Sequence, residues 1–120
     1  MAEVNITHAG LQGLWFEQGV RNASFSRGEI SDLGTGAIRV GPWVPFQGIG
    51  HGDAARRHAP GNKPEAVHDI TITDSLLTDG GWVFAAGTAL FVQANTTAVT
   101  MAHCELSYFS YTAVSLGWSW

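Results

Sequence analysis

The stretch from Gly80 to Trp120 constrains this chain most. Its 41 residues hold one acid (Glu105), one histidine (His103) and no lysine or arginine. Small, β-branched and aromatic residues fill the rest, a composition that suits strands. A small domain has too little interior to hide so much uncharged strand-forming sequence by itself. Part of this run is therefore expected to be buried against other copies of the chain or against another protein.

Composition points the same way. The charged fraction is 13%, about half the ~25% typical of soluble domains. Lys63 is the only lysine, and glycine occurs 15 times. Obligate interfaces lose charge because desolvating an ion is costly. An apolar fraction of 45% is ordinary for a folded protein, and 120 residues suit one domain, 1–120. The net charge of −4 argues against a nucleic-acid partner held by bulk electrostatics. No run approaches the length of a membrane span, so no membrane partner is expected. Met1-Ala2-Glu3-Val4-Asn5 lacks the basic and apolar regions of a signal peptide. Cys104 is alone and reads as a small buried hydrophobe.

Short alternating runs recur along the chain. Val4–Thr7, Leu11–Glu17, Ala23–Ser26, Gly36–Val40 and Val67–Thr73 read as strands. Arg27-Gly28-Glu29 and Asp32-Leu33-Gly34 read as turns. Asp79-Gly80-Gly81 reads as a hairpin turn between Ser75–Leu77 and a strand at Trp82–Ala94. A second turn at Asn95-Thr96-Thr97 leads to a long strand, Ala98–Val114, with a bulge expected near His103–Leu106. The segments Gly36-Ala37-Ile38-Arg39-Val40 and Gly87-Thr88-Ala89-Leu90-Phe91-Val92 share a loose pattern, short of a convincing repeat. Many short strands with glycine-rich turns predict an all-β fold: one antiparallel β-sandwich or barrel, jelly-roll or Greek-key like.

One long loop is expected at about 47–66. It concentrates half of the positive charge in Arg56, Arg57 and Lys63, with Pro60 and Pro64 keeping it out of a sheet. The two guanidinium forks suit bidentate pairing with carboxylates on a partner. His51, Asp53 and His58 in the same loop hint at a metal site, but the His-X-His pair and later Glu of a cupin-like pattern are missing. No metal and no cofactor are expected. No Gly-X-Ser-X-Gly elbow or phosphate-binding loop occurs, so the chain reads as non-enzymatic.

Trp82, Phe109, Tyr111, Trp118 and Trp120 are the candidate interface residues, since Trp and Tyr anchor interfaces. Trp118 and Trp120 share a face if extended, and that face is expected to dock onto the domain or a neighbour. The same aromatics admit a carbohydrate-binding reading, in which sugar rings stack on exposed rings and Asp or Asn bind hydroxyls.

In overall character (short, β-rich, low in lysine and cysteine, without a leader) the chain resembles virion accessory proteins of tailed bacteriophages. Capsid cement or decoration proteins and tail-fibre heads are of this kind. The resemblance implies a structural protein of the virion, a homo-oligomer with a trimer favoured, partnered by another virion protein such as the major capsid protein. A carbohydrate-binding β module and a small metal-dependent β-barrel enzyme using His51, His58 and Asp53 are the rival readings.

Overall fold

The computed structural model describes residues 1–42 and 65–117. Within them the chain forms eleven strands and no helix. These are β1 (Asn5–Ala9), β2 (Leu14–Phe16), β3 (Arg21–Ser26), β4 (Glu29–Leu33), β5 (Ile38–Val40) and β6 (Val67–Thr73). They continue as β7 (Leu76–Gly80), β8 (Leu90–Val92), β9 (Thr96–Ala102), β10 (Glu105–Phe109) and β11 (Val114–Leu116).

The all-β expectation holds, but the antiparallel sandwich or barrel does not. Every strand pairing is parallel. Three sheets run β1-β4-β7-β10, β2-β5-β8-β11 and β3-β6-β9. Successive strands visit the three sheets in turn, so each circuit lays a coil on the one before: a three-sided parallel β-solenoid. Neighbouring coils supply the crossover that parallel pairing demands, here without a helix. Asp79 and Gly80 accordingly lie within β7 rather than in a hairpin turn. Trp82–Ala89 is a corner loop, and the anticipated long strand 98–114 is three strands on three faces.

Inward side chains stack in columns along the solenoid. Ile6, Ile30, Leu77 and Leu106 form one, and Leu14, Ile38, Leu90 and Val114 another. Ala23, Ile70 and Val99 form a third, beside Phe25, Ile72 and Met101. Phe25, Ile30, Ile38, Val40, Ile70, Ile72 and Leu77 are fully buried. Each such side chain contributes about 1.5–3 kcal/mol relative to exposure.

The strands also carry residues in the left-handed region. Among the described residues twelve non-glycine residues have positive φ, seven of them within strands, including His8, Asp32, Asp79 and Tyr108 at one register of the first sheet. Asn22, Asp69 and Ala98 stack likewise in the third sheet. Eight of the twelve are Asn, Asp or His, the types that tolerate this conformation best. Within a strand such a residue breaks the period of two: across Asp32, Ile30 and Leu33 are both buried three positions apart.

At one corner the coils approach so closely that only glycine fits. A Cβ on Gly34 would overlap the carbonyl of Gly10 in the coil below. Gly34→Ala should therefore lower the urea midpoint, by an equivalent of about 1–3 kcal/mol for a clash against backbone. An unchanged midpoint would show that these corners part without cost.

Candidate ligand-binding ridge

Coils one and two turn from the first sheet to the second through four residues, 10–13 and 34–37, whereas the third takes nine, 81–89. The extra residues stand out as a ridge. Its backbone is pinned from below, with the amides of Trp82, Val83 and Phe84 donating to the carbonyls of Leu33 and Gly34. Ser110 Oγ donates to Ala85 O from the next coil at 3.0 Å. The side chains are nonetheless left in solvent: Trp82 is 71% exposed, and Val83 and Phe84 are also exposed. Adjacent exposed apolar side chains on a fixed backbone are a signature of a binding surface.

A cleft lies on each side of the ridge. The first, of about 260 Å³, is lined by His8, Gly10, Asp32, Gly34, Trp82 and Val83 among others. Here His8 Nε2 lies 3.3 Å from Asp32 Oδ2, with both side chains largely exposed, and His8 Nδ1 is 2.9 Å from Thr7 Oγ1. Stacking of β1 on β4 brings the imidazole and carboxylate together. The cleft thus offers an indole face beside a hydrogen-bonding acid and base.

The second cleft, of about 170 Å³, lies against the outer face of the second sheet and includes Gln12, Thr35, Arg39, Phe84, Thr88 and Phe91. Trp15, Arg39, Phe91 and Ser115 occupy one outward register of that sheet. The Arg39 guanidinium lies 4.4 Å from the Trp15 ring centre and 5.5 Å from that of Phe91, contacts worth about 0.5–2 kcal/mol each. Trp15 Nε1 donates to Gly41 O at 2.9 Å. Gln12 Oε1 accepts from Thr35 Oγ1 and from the amide of Gly36. Burial pulls the Arg39 pKa below its ordinary value, partly opposed by the charge of Glu17; an arginine stays cationic regardless.

Of the interface residues read from the sequence, Trp82 crowns the ridge and Tyr111 is exposed on the corner of the last coil. Phe109 is half-buried, packed onto the core beside Gly80. Trp118 and Trp120 lie outside the described residues, as do Arg56, Arg57 and Lys63 and the histidines His51 and His58 with Asp53. Among the described residues no three His, Cys, Asp or Glu side chains converge on a metal-sized point. Sequence reading missed His8, Asp32, Arg39 and Phe91 as members of a site. One signal was present: the loose pattern shared by 36–40 and 87–92 is the second sheet's stacking, which sets Arg39 beside Phe91.

The described residues form a β-solenoid with a lateral ridge carrying Trp82 and Phe84, flanked by two mostly apolar clefts that each hold a few polar side chains. Comparison with family models, curated proteins and solved structures finds no match to this chain.

Proposed function

We propose that this chain is a non-enzymatic carbohydrate-binding module, with the sugar stacked on Trp82 and its hydroxyls bound by His8 and Asp32. The single observation that carries this reading is an indole 71% exposed, on a pinned backbone, sharing a cleft with a polar pair. Flat apolar sugar faces suit a ring, and sugar hydroxyls can donate to the Asp32 carboxylate, which accepts, beside an imidazole that carries both a donor and an acceptor nitrogen when neutral. This favours the fibre-type virion reading over the capsid cement reading, because a fibre tip meets glycans. Titrating the protein with a panel of oligosaccharides while following tryptophan fluorescence tests it. A saturable shift in the wild type that Asp32→Ala weakens is expected. A flat response across the panel would remove the proposal.

A second reading, assembly as a homo-oligomer or onto another virion protein, is favoured by the last described coil. Val114 is 42% and Leu116 64% exposed, whereas their column mates Ile38 and Val40 are buried. Apolar side chains left exposed in this way favour burial against a second surface. Light scattering at tens of micromolar should give a multiple of the chain mass. Val114→Ser with Leu116→Ser should shift it toward one chain, and a wild-type monomer would sink this reading.

A further inference from the structure

Among the described residues, the buried polar side-chain atoms without a hydrogen-bond partner are Arg39 Nη2, Gln93 Nε2 and Thr96 Oγ1, and they lie near one another. Arg39 Nε donates to Gln93 Oε1 at 2.9 Å, which joins the first two side chains. Gln93 and Thr96 both line the spot that a Cβ on Gly41 would enter. Buried polar groups are nearly always satisfied, and leaving a donor unmet costs about 1–3 kcal/mol. Two of the three atoms are obligate donors and the third, a hydroxyl, donates as well. No carboxylate of a described residue lies within ion-pair distance of Arg39, and Glu17 acts on it only through its field. The guanidinium is therefore fixed between two rings, partly desolvated, beside other donors and short of acceptors. It also lines the cleft that Phe84 shares with the ridge.

We infer that the Arg39 cleft is a subsite for a carboxylate, so that the saccharide held by the Trp82 ridge is an acidic one carrying a uronic-acid type group. The inference rests on the carbohydrate reading above. Of the three orphaned side chains Arg39 is the one that lines the cleft, and a carboxylate there supplies acceptor oxygens to its guanidinium, whose planar fork suits it better than a neutral hydroxyl. Clefts on the two sides of one ridge let a single chain of sugars touch both.

The test uses a glucuronate-containing oligosaccharide, its methyl ester and its carboxyl-reduced counterpart, with affinities measured by calorimetry. The acid form is expected to bind wild type at least about tenfold more tightly than either neutral form. Arg39→Gln should abolish that preference, so that the acid form binds no more tightly than the neutral forms, and Arg39→Lys should retain part of it. Trp82→Ala should weaken all three alike. Thermal melts check that the Arg39 variants fold. If Arg39→Gln does not fold, the wild-type preference must itself collapse at high salt, as screening of a charge contact requires. Equal affinity for acid and neutral forms overturns the carboxylate subsite and leaves the carbohydrate reading standing. Absence of binding by all three overturns the subsite, and a flat response across the oligosaccharide panel as well overturns both.

Discussion

Ile30→Ala should destabilise the protein by about 2–5 kcal/mol, the range for a large-to-small change at a sealed core site. For a chain of this size that is a fall in Tm of roughly 10 °C or more. Ile30 is fully buried, stacked between Ile6 and Leu77, so the two neighbouring coils prevent collapse around the cavity. Leu106 lies in the same column, but in the last coil and only partly buried. Leu106→Ala should therefore cost clearly less. Chemical denaturation of both variants gives the comparison. Equal losses would mean that the last coil is covered as tightly as the centre, by a partner or by further chain.

Trp82→Ala should weaken carbohydrate binding by at least about tenfold, equivalent to about 1.4 kcal/mol, and leave the melt almost unmoved. Its ring is mostly in solvent and the hydrogen bond its backbone amide donates to Leu33 O survives the change, so little folding energy is at stake. Calorimetry and a thermal melt on the same preparation separate the two effects. A large drop in Tm with unchanged affinity would recast Trp82 as a structural residue.

These outcomes bear on how far the sequence could be read. Val67–Thr73 was legible as a strand to the residue, because Val67, Ile70 and Ile72 are apolar among polar neighbours. The corner at Arg27-Gly28 was legible as a turn. The candidate site was legible only in part. Trp82 stood out as a large aromatic in a charge-free run, but its cleft partners His8 and Asp32 are far away in the chain. Chain distance hid them, since coil stacking alone brings residues 8, 32 and 82 to one corner.

By itself the sequence determined that the chain is all-β, where several strands lie, and that its last third is unusually poor in charge. Alternation and β-branched content carry that information locally. Only the tertiary structure decided the direction of pairing, because a period of two reads the same in parallel and antiparallel sheets. The repeat was masked for a related reason. β1 and β4 begin 24 residues apart, but β4 and β7 begin 47 apart and β7 and β10 begin 29 apart, so the coils share no fixed sequence period. Left-handed residues such as Asp32 and Asp69 then shift the inward positions within each strand. A solenoid tolerates both irregularities, because each coil needs only to match the register of its neighbours.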